Sequence, residues 1–511
     1  MPRLPHGTNV TPDTLQTARD SIAARAADIP LGFALAQPLD ARSFDFLFLE
    51  LQDDPANLLP VAGKTRDDLV DLGKAMSTVF GGDSNIPAAY TYFGQFVDHD
   101  ITFETSSAPG SQLVAPDLAP LPLERIRQET QNLRTGGLDL DSVYGLPAPR
   151  RGAKMRIGKV AQSGARPPGK DDFNDLPREG RSVDVVHDRA ALIGDPRNDE
   201  NLIIAQLHLA FLRAHNELVD QGNSFSRAKR LLRQHYQHIV LHDFLRKIAD
   251  PQIVDETIAL NRVYDPDEDE FFMPLEFSVA AYRLGHSMVR GNYAFNLNFQ
   301  PATLDQLFTF TALSGQLGEF DTLPELWIIE WENFVDAGAP FTKARRIDTK
   351  LVDPLEHLRI VTGEEEAGLA RRLAVRNLLR GYLLRMPTGQ AVARALKEKL
   401  QGVRNIPVLG PNRIRQAAAS EEQVQVLEDA GFLERTPLWY YILAEAAELG
   451  GGQHLGPVGS TIVAEVLVGL VRRSQNSILR MQNWQPTLPS AQPGTFTLPD
   501  LLRFAGVLSS N

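Results

Sequence analysis

The sequence predicts a mainly α-helical, single large domain with long surface loops and little β-structure. Three observations support this fold class: apolar residues recur at helical spacing in many segments, strand patterns are weak and scattered, and stretches rich in proline and glycine separate the helical segments. The 511 residues are 43% hydrophobic, which supplies enough apolar surface for a sizeable core. We expect residues 1–84 to form an irregular N-terminal wrapping segment and residues 85–511 to form the helical, function-bearing domain.

The predicted elements follow in chain order. A first helical pattern begins near Pro87 and runs through Val97. Residues 107–123 and 146–180 are rich in proline and glycine, and we expect them to form long surface loops. The remaining apolar periodicity predicts helices over residues 197–221, 226–249, 277–290, 366–385, 389–400, 420–431 and 438–448.

Composition excludes several classes of function. The formal net charge is -12 and there is no dense lysine and arginine stripe, so we expect no nucleic-acid partner. The chain has no cysteine, which excludes disulfides, thiolate metal sites and cysteine nucleophiles. The N-terminus lacks the pattern of a signal peptide, and the most apolar stretch, Thr461–Val471, is too short to span a bilayer. A cytoplasmic protein is therefore the expectation, with export by a signal-independent route left open.

Four small groups of polar residues interrupt otherwise apolar helical segments. Each group has an ordinary explanation when taken alone: a solvated helix edge, a helix cap with an ion pair, a buried core histidine, or a helix surface. Together they contain two histidines, three arginines, two amides and two carboxylates. Such a set suits a planar anionic cofactor with a central iron, which needs an imidazole ligand, guanidinium partners for its carboxylates, and a base with a cation on the other face. The groups are Gln95, Asp98 and His99; Arg197 and Glu200; Arg283 and His286; and Asn377 and Arg380.

The string GQFVDHD, which contains Gln95 and His99, resembles the distal-helix signature of the animal-type haem peroxidases, in the superfamily that includes myeloperoxidase, lactoperoxidase and cyclooxygenase. The similarity continues in order over roughly residues 85–480. It implies a haem b cofactor and a haem peroxidase catalytic domain. By this resemblance the catalytic residues are the distal histidine His99, its neighbour Gln95 and the distal arginine Arg197.

The resemblance also assigns the residues that bind haem. His286, in RLGHSM, corresponds to the ligand of the haem iron, and Asn377 corresponds to the residue that accepts the Nδ1–H of that ligand. Arg283 and Arg380 correspond to arginines that bind the propionates.

The stretch TGGLDLDSVYG, from Thr135, resembles the calcium loop of the same family. Alternating oxygen donors on a short loop suit a hard cation with flexible coordination. Asp100 lies one step further round the helix than His99 and is expected to face away from the haem, towards this loop. The ligands of Ca²⁺ implied by the resemblance are Asp100, Thr135, the carbonyl of Gly137, Asp139 and Asp141.

Residues within and beside these motifs indicate which covalent bonds to haem, and which radical tyrosine, this chain shares with members of the family. Asp98 and Glu200 occupy the positions that form ester bonds to haem methyl groups in mammalian members. Asn201 stands where myeloperoxidase has a methionine joined to haem, so a sulfonium link is excluded. Arg283 stands where cyclooxygenases have their radical tyrosine, and Tyr282, one residue earlier, is expected to point elsewhere.

The resemblance implies an enzyme that reduces hydrogen peroxide and oxidises halide, thiocyanate or small organic donors. His99 would move the proton of the peroxide and Arg197 would stabilise the negative charge that develops on oxygen. Three alternatives remain open: a fatty-acid dioxygenase of the same superfamily, a non-catalytic scaffold without haem, and a non-haem metal protein. The last would use His235, His238 and His242, which share one helix face. The electron donor and the oligomeric state are not predicted.

Overall fold

The computed structural model describes residues 42–78, 81–105, 113–145, 150–183, 187–264, 271–312, 317–358 and 367–509. The described residues are about 49% helical with little strand, which confirms the predicted mainly α-helical class. Among the described residues, none of the helices is both long and apolar enough to cross a membrane.

The α-helices vary from one turn to five. Those of the first half are α1 Gly63–Ala75, α2 Ala89–Ile101, α3 Leu123–Glu129, α4 Asp141–Tyr144, α5 Leu202–Asp220, α6 Phe225–Ile239, α7 Leu245–Ile248, α8 Pro251–Ala259, α9 Gly285–Met288 and α10 Leu304–Thr309. Those of the second half are α11 Ala367–Ala370, α12 Leu373–Leu383, α13 Gly389–Lys399, α14 Pro411–Ala417, α15 Glu421–Asp429, α16 Leu438–Leu449, α17 Pro457–Arg473 and α18 Leu498–Phe504.

The strands are short and scattered, as predicted. They are β1 Arg42–Asp45, β2 Ser77–Thr78, β3 Asp83–Pro87, β4 Glu104–Thr105, β5 Gln131–Asn132, β6 Arg150–Arg151, β7 Lys154–Met155, β8 Phe272–Pro274, β9 Asn292–Tyr293, β10 Ala302–Thr303, β11 Lys343–Arg345 and β12 Leu351–Val352. One sheet has four strands in the order β4-β5-β1-β8, with β1 antiparallel to β5 and parallel to β8. This sheet places Phe44 and Glu104 on the wall of the central cavity described below.

Two helical runs change their winding along the chain. Helix α6 passes into α7 through a π-helical turn, Val240–Phe244, so the helix predicted over 226–249 exists with an internal bulge. The single helix predicted over 277–290 is wrong. A π-helical turn, Glu276–Ala280, is followed by a 3₁₀ turn, Ala281–Leu284, and then by α9. Ala280 breaks the winding with φ -127° and ψ -72°, a change of pitch that apolar periodicity over so short a segment does not reveal.

The expectation of an irregular segment up to residue 84 is wrong for its second half, while residues 1–41 lie outside the described residues. Helix α1 spans 13 residues and packs against α12. Its buried Leu69 and Leu72 are three residues apart and therefore share one helix face. At Gly73 an added Cβ would lie 2.8 Å from the backbone of Val375, so the two helices approach closely because this position has no side chain.

Aromatic packing fixes the helices around the central cavity. Phe96 of α2 stacks on Phe211 of α5 with ring centroids 4.4 Å apart and an interplanar angle of 4°. Phe93, one turn earlier, makes edge contacts with Tyr236 of α6 and with Phe244. All these rings are buried. Their contacts hold α2 with its aromatic face towards α5 and α6. The polar face of α2 is thereby directed to the cavity.

Candidate active site

A single cavity gathers all nine residues that the sequence predicts at the cofactor site. Its walls come from α2, the turn before α5, the irregular run over residues 276–288, and α12. The predicted proton-transfer residue, His99, and the predicted iron ligand, His286, line it together although they lie far apart in the chain. The full predicted set on its walls is Gln95, Asp98, His99, Arg197, Glu200, Arg283, His286, Asn377 and Arg380.

His99 lies near the C-terminal end of α2 and is 5% exposed. Burial, followed by the positive charge of Arg197, lowers its pKa, so the imidazole is neutral near pH 7. Its Nδ1 lies 2.8 Å from the Oδ1 of Asn198. A ring whose Nδ1–H is donated to an amide oxygen keeps a lone pair on Nε2, which is the arrangement that a general base requires.

Arg197 is held beside His99 by buried acceptors. Its Nη2 donates to the carbonyl oxygens of His99, at 3.1 Å, and of Thr102, at 2.6 Å. Its Nε donates to the Asp195 carboxylate at 3.0 Å. Burial alone would raise the pKa of Asp195, but Arg197 and Arg134 outweigh it and hold that pKa well below its usual range. The cluster therefore keeps a fixed positive charge next to the base.

The helix predicted over 197–221 begins later than expected. Arg197 lies in a separate 3₁₀ turn, Pro196–Asp199, whose N-cap Asp195 accepts the backbone N–H of Arg197. Asn201, in an extended conformation with φ -141°, breaks the winding and then caps α5 by accepting the N–H of Ile204.

The two carboxylates predicted to bond with haem both line the cavity. Glu200 is 2% exposed, and its Oε1 accepts a hydrogen bond from the Gln95 amide. Asn201 donates to Gln95 Oε1 at 3.3 Å. Asp98 accepts from the hydroxyl of Thr102 at 3.0 Å. Gln95 therefore connects the predicted distal residues of α2 to the segment before α5.

The contact between His286 and Asn377 is present, but its direction is opposite to the prediction. Asn377 Nδ2 lies 2.8 Å from His286 Nδ1, and Arg283 Nη1 donates to Asn377 Oδ1 at 2.9 Å. Because Arg283 can only donate, it holds the amide oxygen on its own side and turns the NH₂ group towards His286. The amide thus donates to Nδ1 in this arrangement, whereas the sequence predicts that it accepts from Nδ1.

Three buried arginines line the cavity in addition to Arg197. Burial lowers the pKa of both Arg376 and Arg380 to about 10, and burial also lowers the pKa of Arg283. Arg380 pairs with Glu104, yet its Nε and Nη1 are buried without a hydrogen-bond partner. Buried donors without acceptors are costly, so this wall is suited to an anionic group with several oxygen atoms.

Comparison with known proteins finds a family-model match in the middle of the chain. Residues 119–317 match the family model for animal haem peroxidase. The matched stretch includes Arg197 and His286 but ends before Asn377 and begins after His99.

The curated relatives that this chain matches are distant and much longer proteins. A peroxidase-like protein from Margaritifera margaritifera is 28% identical over 293 residues, which is 46% of this chain and 35% of that protein. Thyroid peroxidase from Canis lupus familiaris is 25% identical over 269 residues, which is 39% of this chain and 28% of that protein. The chain therefore spans about a third of the length of these relatives.

Solved structures with the same fold include a peroxidase and a dioxygenase. Peroxidase A from Dictyostelium discoideum has a TM-score of 0.56 at 16% identity, and the match covers 87% of this chain and 90% of that one. A fatty acid alpha-dioxygenase from Arabidopsis thaliana has a TM-score of 0.55 at 15% identity, over 82% of this chain and 71% of that one. At these identities the likeness is one of fold alone.

The predicted calcium loop, from Thr135 to Asp141, lies behind α2. Asp100 is fully buried and, as expected, faces this loop: its carboxylate accepts the backbone N–H groups of Leu140, at 3.1 Å, and Ser142, at 3.2 Å. Burial and then Asp141 raise the pKa of Asp100 to about 7. Burial raises the pKa of Asp139 to about 6, and its Oδ1 is buried without a hydrogen-bond partner. Crowded carboxylates of this kind suit a cation.

The side chains of that loop are nevertheless not arranged as a metal site in the structure. Across the described residues, no group of three or more histidine, aspartate or glutamate side chains is placed to hold a metal ion. The oxygens of Asp100 and Asp141 are occupied by backbone amides, the latter by the N–H of Thr135 at 3.0 Å. Gly137 lies beside Asp139, since an added Cβ would approach its Oδ2 to 2.7 Å.

The alternative metal site on α6 is not supported. Both ring nitrogens of His235 are engaged: Nδ1 with the carbonyl oxygen of Leu231 at 2.7 Å, and Nε2 with the backbone N–H groups of Thr487 and Leu488. His238 and His242 remain as a pair with ring centroids 4.6 Å apart. His235 is therefore a structural residue that anchors the chain near residue 487.

Tyr282 was expected to point away from the site and instead lines the cavity. Its hydroxyl group is buried without a hydrogen-bond partner, and burial, followed by the charge of Asp98, raises its pKa well above the usual value. Its ring stacks on Phe277 with centroids 4.7 Å apart. The 3₁₀ turn accounts for the difference, because an altered winding rotates Tyr282 relative to a regular helix.

Several other residues of the site escaped the sequence reasoning. Asp195 pairs with both Arg197 and Arg134, and Arg376 adds a fourth arginine to the cavity. Asn198 and His208 form a hydrogen-bonded chain behind His99. Asp195 carried a usable signal, since an aspartate before a proline is a common helix cap. Asn198 and His208 carried none, because only the folded chain brings them together.

Proposed function

We propose that this chain is a haem-dependent peroxidase that reduces hydrogen peroxide and oxidises halide, thiocyanate or small organic donors. The observation that carries the proposal is the shared cavity, where two histidines from distant segments meet several buried arginines. The family-model match supports the peroxidase class, and the choice of donor rests on the resemblance of the site residues.

The residues present fit a haem group. His286 would bind the iron through Nε2, and Arg283, Arg376 and Arg380 would bind the propionates. The buried, unpartnered donors of Arg380 support this fit, because an anionic carboxylate would satisfy them. When bound, haem supplies a redox-active iron at which peroxide is reduced.

His99 would act as the proton-transfer group. Its lowered pKa keeps the ring neutral, and Nε2 can take the proton of hydrogen peroxide and return it to the departing oxygen. Arg197 would stabilise the negative charge that develops on that oxygen, because Asp195 and two carbonyl oxygens hold its guanidinium group in place beforehand.

The proximal side requires one rearrangement. If His286 binds iron through Nε2, its proton lies on Nδ1, and this Nδ1–H needs an acceptor. Asn377 supplies one when its amide turns to present Oδ1. Arg283 then loses its present acceptor and donates to a propionate instead. In this proposal, binding of the cofactor and the tautomer of His286 would be coupled through Arg283.

Two substitutions test the proposal. His286→Ala should abolish the Soret absorption of the reconstituted protein. His99→Ala should keep haem bound and slow the reaction with peroxide, followed by stopped-flow absorbance, by roughly 10²–10⁴-fold. His357→Ala, at an exposed histidine outside the cavity, is the matched control and should behave like the wild type. An unchanged rate in His99→Ala removes this residue from the mechanism.

A fatty-acid dioxygenase is the second candidate because of Tyr282. Its unpartnered hydroxyl group in the cavity is a side chain that such an enzyme would need, and solved alpha-dioxygenases share the fold. Arg283 at the neighbouring position argues against it. Oxygen uptake with a fatty acid, lost in Tyr282→Phe, would support the dioxygenase, whereas peroxide turnover without oxygen uptake supports the peroxidase.

A further inference from the structure

Behind His99 a chain of three hydrogen-bonding side chains runs into the core. His99 Nδ1 lies 2.8 Å from Asn198 Oδ1, and Asn198 Nδ2 lies 2.9 Å from His208 Nδ1. His99 is 5% exposed, and Asn198 and His208 are both fully buried. No water reaches such a chain easily, so each group depends on its neighbour for a partner.

The direction of the Asn198 amide determines where the proton of His99 lies. An amide oxygen accepts and an amide NH₂ donates, so the oxygen facing His99 requires a proton on Nδ1 and leaves Nε2 bare. The reversed amide would donate to Nδ1, and the proton would then lie on Nε2. A ring with its proton on Nε2 cannot accept another proton from a substrate in the cavity.

His208 lies at the other end of the same amide, with its Nδ1 2.9 Å from Asn198 Nδ2 and its Nε2 buried without a hydrogen-bond partner. Burial lowers the pKa of His208 to about 3, so the ring is uncharged and has one bare nitrogen. With Nδ1 as that nitrogen, it accepts the NH₂ group of Asn198 and keeps the amide oxygen on the side of His99. The ring is held against Phe96 of α2, with centroids 6.0 Å apart.

We propose that Asn198 and His208 are positioning residues that hold His99 in the tautomer with its proton on Nδ1 and its Nε2 free to accept a proton in the cavity. The inference rests on the proposed function only in taking His99 as the base. Asn198 directly follows Arg197 in the turn Pro196–Asp199, so one capped turn positions both the base and the cation beside it.

The tautomer is measured directly by ¹⁵N nuclear magnetic resonance of histidine side chains. Protein labelled with [¹⁵N]histidine is studied in its haem-loaded carbon monoxide complex, which is diamagnetic, and in parallel without haem. The signal of His99 is assigned by its loss in His99→Gln. We expect a protonated Nδ1 and a bare Nε2. A proton on Nε2 in the wild type overturns the inference, whatever the activity of the protein.

Three variants test the roles of the two residues. Asn198→Leu should shift His99 towards the Nε2–H tautomer and slow the peroxide step about 10- to 100-fold while haem remains bound. Asn198→Asp keeps an acceptor and should retain the wild-type tautomer with a rate within about 10-fold. His208→Phe removes the acceptor for the NH₂ group and should give a mixture of both tautomers.

Controls separate this inference from the proposed function. Asn216→Leu, at an asparagine of α5 whose amide pairs with the backbone of Met155, should leave the tautomer of His99 unchanged. If Asn198→Leu fails to fold, the wild-type spectrum and the nearly isosteric Asn198→Asp still decide the question. An unaltered His99 tautomer in folded Asn198→Leu refutes the inference. A normal peroxide rate in His99→Ala removes His99 from the proposed mechanism and leaves the tautomer result standing, whereas a haem-loaded wild type that does not react with peroxide refutes the proposed function.

Discussion

Replacing Asp195 with asparagine removes the charge that holds Arg197 in place. The carboxylate is completely buried and pairs with Arg197, at 2.7 Å, and with Arg134. The side chains of the two arginines are 25% and 10% exposed. Asparagine keeps the size of the side chain and one oxygen acceptor, so the substitution changes the charge with little change in packing.

The expected loss of stability is about 3 kcal/mol. Removing one partner of a buried ion pair typically costs about 3–5 kcal/mol, and the lower end applies because both arginines retain some contact with water and asparagine still accepts one hydrogen bond. The native pKa of Asp195 is held below its usual value, so its stabilising contribution is complete above pH about 4 and is lost at lower pH. The difference between wild type and variant should therefore shrink under acid conditions.

Chemical denaturation at pH 7 and at pH 3.5 measures this difference. Asp321→Asn is the matched control: Asp321 pairs with Arg181 at the surface, where their side chains are 72% and 58% exposed, and its loss should cost less than about 1 kcal/mol. The rate of the peroxide step should fall about 10- to 100-fold in Asp195→Asn, because Arg197 loses one of its anchors. Equal stability losses in the two variants, with an unchanged peroxide rate, would refute the reasoning.

Three further predictions concern other parts of the molecule. Burial raises the pKa of Glu445 to about 8, so the native state binds an extra proton below that pH and the free energy of unfolding should fall as the pH rises from about 5 to 8. In denaturant titrations, Glu445→Gln should flatten this dependence on pH. The same dependence in wild type and variant would contradict the prediction. We expect one calcium ion per chain by elemental mass spectrometry and none in Asp139→Ala; a calcium-free wild type would contradict the predicted loop. After treatment with peroxide, acid acetone should extract only part of the haem from the wild type. It should extract all of the haem from a variant that combines Asp98→Asn with Glu200→Gln. Complete extraction from the wild type rules out the ester bonds.

The side chains of the cavity were predictable where local periodicity decides which residues share a face. In α2, Gln95 and His99 are one turn apart, so they face the same side regardless of what surrounds the helix. The pair Asn377 and Arg380 in α12 follows the same rule. Regular helical geometry therefore accounts for the predicted residues of α2 and α12, whereas the resemblance identified Arg197, Glu200, Arg283 and His286, which lie in short or irregular turns.

Features that depend on tertiary contacts were not predictable. The winding changes at Ala280, and this change turns Tyr282 into the cavity. The direction of the Asn377 amide depends on Arg283, which lies in a different segment. Helix α17 was absent from the predicted set because residues 458–471 are buried around its whole circumference, which leaves no polar face to create a period.

The cavity is assembled from pieces of chain that run from Phe44 in β1 to Arg380 in α12. A fragment that contains it must span residues 44–380, so a chain truncated before α12 would lack the Asn377 and Arg380 wall of the proposed haem site. Any ligand that occupies this cavity binds the folded chain alone and raises the free energy of global unfolding with its concentration. Cofactor supply during expression should therefore govern how much folded protein accumulates, and the melting temperature should report haem occupancy.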